Sequence, residues 1–375
     1  MGEENTATYR IVEEEPATPA AGRPTIPWSW YADPAILELE MERIFRCSWQ
    51  YAGHLGELQG PGSYFASATG PVPIVITRAA DGVLRGFVNI CRHRGALIAT
   101  GAGRRGTLQC PYHAWTYGLD GRLRAAPRAA EDPAFETESM GLVPVSVGAW
   151  GPFVFANPDR HAAPLAEALG DLPETVAARG LDIDTLRINR RWHYEIRANW
   201  KIALENYLEC YHCPVNHPGL VEVIDERRLV LEARGSRTSQ FAPIHPRSLD
   251  GRGPIDARGE VGSAQNHLWL PTLKVNVLPG HPNLSIGPLW PTGPQTCAGY
   301  LDYWFGESAD ARWIDELLAF DNQVGAEDTA LVEAAQRGTG SGMIERGWVM
   351  GGAEPLIAHF QDHVRARLGR DGAQR

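Results

Sequence analysis

The chain has 375 residues, room for two domains of ordinary size, and its 43% hydrophobic and 21% charged content with 12 Trp describes a globular protein with a sizeable core. Its 35 Lys+Arg against 45 Asp+Glu give a net charge of -10, so there is no basic field for a phosphate backbone and nucleic-acid binding is set aside. No run reaches the roughly 18 apolar residues of a membrane span; the most apolar stretch, Leu142 to Ala156, is broken by Pro144, Ser146, Gly151 and Pro152.

Residues 1–23 are acidic and Pro/Ala-rich, without the basic and apolar regions of a secretory signal, and read as a mobile tail on a protein that stays in the cytoplasm. Gly2 and Thr6 fit a bare myristoylation pattern, but no polybasic second anchor follows. Residues 24–44 hold a helix: Asp33 and Pro34 suit its cap and first position, and Leu37, Met41, Ile44 and Phe45 recur at helical spacing. This helix is expected to pack on the C-terminal domain.

From residue 45 to 156 the pattern changes to short β runs. Pro73 to Arg78 and Val83 to Ile90 flank Asp81-Gly82, while Thr116 to Leu119 meets Leu123 across Asp120-Gly121, so a small antiparallel domain is predicted. Residues 157–375 then alternate helix, strands and helix. Trp200, Leu204, Tyr207, Leu208 and Tyr211 mark a helix over Asn199–Tyr211, residues 228–305 read as a second antiparallel sheet, and residues 311–338 are helical again. The fold class is α+β: a small antiparallel β domain, then a larger domain with an antiparallel sheet flanked by helices.

Six Cys in such a chain point to packing, metal or catalytic roles rather than a disulfide framework. Two loops of the β domain each pair a thiol with an imidazole: Cys91-Arg92-His93 and Cys110-Pro111-Tyr112-His113. A two-iron, two-sulfide cluster takes two Cys on one iron and two His on the other. A Cys2His2 zinc site uses the same four atoms, but zinc fingers of that kind pair Cys with Cys and His with His along the chain. With Gly95 and Trp115 following the two loops, the segment resembles the Rieske domain, which makes Cys91, His93, Cys110 and His113 the ligands of a [2Fe-2S] cluster.

In the second domain Glu205, Glu209 and His212 are spaced to share one helix face, and His217 follows His212 by five residues. Pro214 should break the helix and let His217 swing back, with Pro218 biasing it toward an extended conformation. Two His and one carboxylate form the facial triad of non-heme iron(II) oxygenases. Asp328 is the best third ligand, with Glu327 and Asp321 as rivals. Cys210 and Cys213 form a CxxC that alone suggests a redox pair or zinc site; without a second CxxC, packing is the simpler reading.

Taken over residues 30–365, the chain resembles the large (α) subunit of Rieske non-heme iron oxygenases. The resemblance implies iron ligands His212, His217 and Asp328, a polar neighbour Asn206, and Glu209 as an acid joining a Rieske histidine, His113, to an iron histidine across neighbouring subunits of a homotrimer. It also implies that dioxygen is used to hydroxylate or oxidatively demethylate a small organic molecule, with electrons from NAD(P)H delivered by a separate reductase, with or without a ferredoxin. No GxGxxG nucleotide fingerprint following a strand is present in the chain itself. Naphthalene-type dioxygenases usually carry Asp where Glu209 stands, and the change resembles the α-only branch acting on quaternary amines. Trp269, Trp290, Trp304, Tyr300 and Tyr303 are candidates for a cation-binding cage, though most are expected to be sheet core. Aromatic ring hydroxylation is the rival activity, and a non-catalytic Rieske electron carrier is the rival of another class.

Overall fold

The structure, a computed structural model, describes residues 8–11, 21–67, 70, 72–251 and 253–373. The chain forms two compact units, Met41–Ala168 on one hand and Met1–Glu40 with Leu169–Arg375 on the other, and the class is α+β as expected. Among the described residues no helix is long and apolar enough to cross a membrane.

In Met41–Ala168 the antiparallel strands Gln50–His54, Phe153–Asn157, Pro144–Trp150, Leu84–Val88, Ile74–Arg78, Ser63–Ser67 and Ala102–Arg104 lie side by side in that order, beside a smaller sheet of Leu123–Ala125, Thr116–Gly118 and Thr107–Gln109. Both expected hairpins are present. The first is closed by the Asp81 carboxylate, which accepts the Val83 N–H at 3.0 Å. Inward-facing Val75, Phe87, Leu108, Tyr117 and Leu123 gather Cys91 and Cys110 into one apolar cluster.

The other unit is built on an eight-stranded sheet in the order Thr8–Ile11, Val230–Arg234, Arg237–Pro243, Ser263–Trp269, Leu273–Val277, Asn283–Gly293, Thr296–Phe305 and Arg187–Ile196. Thr8–Ile11 falls in the segment expected to be a tail, yet its backbone pairs in parallel with Val230–Arg234. A Tyr-Arg-Ile run suits a strand, and the sheet edge offers it unpaired backbone groups. The rest of the expected tail up to residue 20 lies outside the described residues.

Among the helices of this unit are α1 (Pro34–Arg43, of which the residues to Glu40 belong here), α2 (Trp200–Tyr207), α3 (Cys213–Asn216), α4 (Ala311–Thr339) and α5 (Pro355–Ala373, broken at Gly369). Asp33 accepts the Ala35 N–H at the start of α1, as its position suggested. The buried face of α1 centres on Ile36 and Glu40 rather than on Leu37 and Met41. Glu40 is the reason: it is fully buried and receives Lys201 Nζ at 2.5 Å and Trp200 Nε1 at 2.7 Å, tying α1 to the first turn of α2. Breaking such a pair from one side leaves an uncompensated charge and typically costs about 3–5 kcal/mol.

Helix α2 is shorter than predicted. It stops at Tyr207, and the Leu208 N–H is shared between the Leu204 and Glu205 carbonyls, a tightening of the last turn that ends the α-helical run before Glu209. Glu205 therefore does not share a face with Glu209 and His212. It turns instead to Tyr31 and α5, accepting from the Tyr31 hydroxyl at 2.8 Å and Gln361 Nε2 at 3.0 Å.

Burial raises the Glu205 carboxyl to about 7, against the pull of these hydrogen bonds and of Lys201. An unfolded Glu titrates near about 4.3, so the folded state holds the proton longer. The stability from this group is complete below the unfolded value and is lost as pH rises through the folded one. The loss is at most on the order of 3 kcal/mol, and less because part of the side chain reaches solvent. Glu205→Gln should flatten the fall in denaturant stability between pH 5 and pH 8; parallel wild-type and variant profiles would remove Glu205 from the balance.

Candidate metal centres

The two Rieske-type loops are built alike. Each Cys N–H bonds to a carbonyl five residues on, Cys91 to Ala96 and Cys110 to Trp115, each at 2.8 Å. Each Cys carbonyl accepts from the residue four on, Gly95 at 3.0 Å and Ala114 at 3.1 Å. That residue has a positive φ in both loops, 75° at Gly95 and 58° at Ala114, a turn glycine enters freely and alanine only under strain. The repeated turn carries one thiol and one imidazole in each loop. The rings of His93 and His113 are 4.7 Å apart, and His93 stacks on Trp115 at 4.9 Å with the planes 6° apart. Cys91 and Cys110 are buried free thiols, and the Tyr117 hydroxyl lies 3.4 Å from Cys91 Sγ. Two soft thiolates in an apolar pocket and two imidazoles at its mouth suit an iron–sulfur cluster with mixed ligation.

The second centre depends on the early end of α2. Beyond it, one oxygen of the Glu209 carboxylate accepts the N–H groups of Tyr211 and His212, the latter at 3.2 Å, satisfying donors that a continued helix would have bonded internally. The other oxygen takes Nδ1 of His212. Helix α3 then carries the chain to His217, which is 1% exposed. Its Nδ1 lies 2.7 Å from Glu327 on α4. Each imidazole is thus held by a carboxylate at Nδ1, which turns both Nε2 atoms inward.

They meet Asp328. Oδ1 of Asp328 is 3.0 Å from His217 Nε2 and 3.3 Å from His212 Nε2, and the two nitrogens are 3.0 Å apart. His212, His217 and Asp328 are the only group among the described residues with three potential ligand atoms of this kind within 4.8 Å of one another. Burial works against charge at all three. Even so, the histidines hold the Asp328 carboxyl at about 2, and the Asp328 and Glu209 carboxylates raise His212 to about 9. Two imidazole nitrogens and one carboxylate oxygen brought this close could hold a metal ion, and the set matches a non-heme iron(II) centre. Asn206 Nδ2 is 3.4 Å from His212 Nε2, so it borders this point.

The register of α4 comes from its far end. Gln336 Oε1 accepts the Asn199 N–H at 2.7 Å, and Arg197 pairs with Glu333 at 3.0 Å. Asn199 also caps α2 through the Lys201 N–H at 2.9 Å. The start of α2 and the carboxylate-bearing turns of α4 are therefore fixed to each other.

Of the rival oxygen donors, Glu327 serves the outer nitrogen of His217, while Asp321 accepts from the Tyr303 hydroxyl at 2.5 Å. Adjacency to Asp328 marked Glu327 as relevant; which of two neighbouring acids faces inward depends on helix rotation. Cys210 and Cys213 are joined in a disulfide rather than packed as separate thiols, their Cα atoms 4.9 Å apart.

The triad and Asn206 line a cavity of about 420 Å³, within the range of small-molecule sites. Of the five suggested aromatic cage residues only Tyr303 lines it; Trp192, Tyr194, Tyr207 and Phe320 do so as well, with Lys274 among many apolar side chains. The inward direction of Trp192 and Tyr194 follows from strand register, and that of Tyr207 and Phe320 from the rotation of α2 and α4.

Residues 183–370 match the family model for the ring hydroxylating alpha subunit (catalytic domain), and residues 48–143 match the Rieske [2Fe-2S] domain. The chain is 30% identical over 364 residues to the chloroplastic choline monooxygenase of Atriplex hortensis, with 93% of this chain and 79% of that one covered. It is 32% identical to the carnitine monooxygenase oxygenase subunit of Acinetobacter pittii (strain PHEA-2), covering 91% and 94% respectively. A solved quaternary ammonium Rieske monooxygenase, whose structure is described as giving insights into carnitine oxidation and inter-subunit electron transfer, superposes with TM-score 0.83 at 29% identity over 94% of this chain and 97% of that one.

Asp328→Ala should lose the non-cluster iron while retaining acid-labile sulfide and the visible spectrum of the cluster. Glu327→Ala should weaken iron retention less, by about 10- to 100-fold in affinity, because it frees the His217 ring without removing a ligand. Metal and sulfide analysis of both proteins checks this, and the reverse ranking would exchange the roles of the two acids.

Proposed function

This chain belongs to the Rieske non-heme iron oxygenases, and from that membership we propose that it is the terminal oxygenase of a system oxidising a quaternary amine. As a member it is an oxidoreductase that uses a Rieske [2Fe-2S] cluster and a mononuclear iron, takes dioxygen and a small organic substrate, receives electrons through a reductase and works as an oligomer. The observation that carries the substrate class is the cavity at the triad, where the rings of Trp192 and Tyr303 offer faces that favour an organic cation. The relatives named for choline and carnitine oxidation support the same reading.

In this reading Cys91 and Cys110 hold one iron of the cluster and His93 and His113 the other. His212, His217 and Asp328 hold the mononuclear iron, which when bound supplies dioxygen activation. Glu209 and Glu327 keep the Nδ1 protons of the two histidines, fix their tautomers and orient their rings. Asn206 places a side-chain amide beside the triad. The apolar walls, including Leu220, Ile224, Leu229 and Val324, exclude water from the bound substrate. Glu209 also links the centre to His113 of a neighbouring subunit in a homotrimer, a route supported by the inter-subunit electron transfer described for the structural relative. The assembly works in the cytoplasm, where NAD(P)H feeds the reductase. A carrier without an iron site would have no use for a cavity at three converging ligands.

With a competent reductase, quaternary amines should stimulate oxygen uptake and give formaldehyde or a hydroxylated product, while neutral arenes should not. Oxidation of an arene to a cis-diol, with quaternary amines inert, would move the chain to the ring-hydroxylating reading.

A further inference from the structure

Of the 35 basic residues in the chain only two, Lys201 and Lys274, are lysines. Both point inward. Lys201 is fully buried against Glu40. Lys274 is partly buried, lines the cavity, and no carboxylate among the described residues lies within 4.0 Å of its Nζ. Its ammonium sits instead over two rings, 4.6 Å from the centre of Tyr194 and 5.7 Å from that of Tyr207. Asp321, which Lys274 influences electrostatically, takes the Tyr303 hydroxyl, and burial holds it toward its neutral form.

A cation in a largely apolar cavity without an anionic partner carries an uncompensated desolvation cost that cation–π contacts offset only in part. The tyrosine faces that would cradle a substrate ammonium are already turned to Lys274. A substrate bearing only positive charge would meet a like charge in low dielectric. One with an anionic end would meet its counter-ion.

Sheet register supplies a second polar group for that end. Gln240, Asn266 and Asn276 lie opposite one another on adjacent strands and all line the cavity, with Lys274 two residues from Asn276 and so on the same face. Gln240 and Asn276 are engaged, the first donating to the Tyr207 carbonyl at 2.7 Å, the second accepting the Tyr207 hydroxyl at 2.5 Å. The side-chain amide of Asn266 makes no hydrogen bond to another described residue.

Building on the quaternary-amine reading, we propose that the substrate is a zwitterion, its carboxylate received by Lys274 and Asn266 and its quaternary ammonium by the remaining aromatic surface of the cavity, Trp192 and Tyr303. A betaine-type amino acid is thereby preferred over a simple cationic alcohol of the choline type.

Binding to iron-loaded protein, followed by calorimetry, tests this with three probes. γ-Butyrobetaine carries both charges, choline only the cation, and 5,5-dimethylhexanoate has the shape of the first with an uncharged tert-butyl end. Wild type should bind γ-butyrobetaine at least about tenfold more tightly than either of the others. Lys274→Met should lose that margin over choline, with choline bound as well as before or better, and Lys274→Arg should restore part of it. Equal or tighter binding of choline by wild type would overturn the zwitterion while leaving the quaternary-amine reading intact. Equal losses for γ-butyrobetaine and choline in Lys274→Met would show a packing role for Lys274 and overturn it too. The wild-type comparison stands even where a variant fails to fold. Binding of 5,5-dimethylhexanoate with neither γ-butyrobetaine nor choline bound would overturn the quaternary-amine reading itself.

Discussion

A histidine presents one chosen nitrogen to a metal only when its other nitrogen is held, and at this centre both histidines are held by carboxylates. Glu209 grips His212 and Glu327 grips His217, so both Nε2 atoms face Asp328. Much of the surrounding architecture serves that arrangement. Helix α2 must end at Tyr207 for Glu209 to turn back on His212, and α4 must keep its register for Glu327 to stand outside and Asp328 inside. The Asn199–Gln336 and Arg197–Glu333 contacts fix that register eight and five residues beyond Asp328.

Charge is also buried where no metal is expected, and there it organises the scaffold. Glu40, Lys201 and Trp200 join α1 to α2, while Tyr31, Glu205 and Gln361 join the N-terminal segment and α5 to the same helix. Helix α2 is thus anchored on several sides just before the backbone leaves helical geometry. A rigid helix followed by a shaped turn is a sound way to place ligands within the narrow tolerances of a metal site.

The proposed ligand sets were legible in the sequence because their chemistry is local. A thiol and an imidazole in each of two short loops, and two histidines separated by a proline, suggest metal ligation without a fold. The hairpins were legible for the same reason, through Asp81-Gly82 and Asp120-Gly121. What stayed hidden depends on distant partners. The extent of α2 turned on how Glu209 satisfies backbone donors, and the direction of Glu205 turned on Tyr31 and Gln361 from the two ends of the chain. The buried face of α1 centres on a glutamate because Lys201 waits for it some 160 residues later. Trp269, Tyr300 and Trp304 are sheet core, as most of the five suggested aromatics are expected to be, because alternate residues on a strand face opposite sides, and these three are buried without lining the cavity.

The central claim is that one chain holds two chemically distinct kinds of iron, one of them on His212, His217 and Asp328. Mössbauer spectroscopy of reduced protein grown on 57Fe tests it most directly. The account predicts the ferric–ferrous pair of a reduced cluster together with a separate high-spin ferrous doublet of about half the combined cluster area. His217→Ala should remove that doublet alone. Iron found only in the cluster of the wild type, or a mononuclear doublet that survives His217→Ala unchanged, would contradict the account.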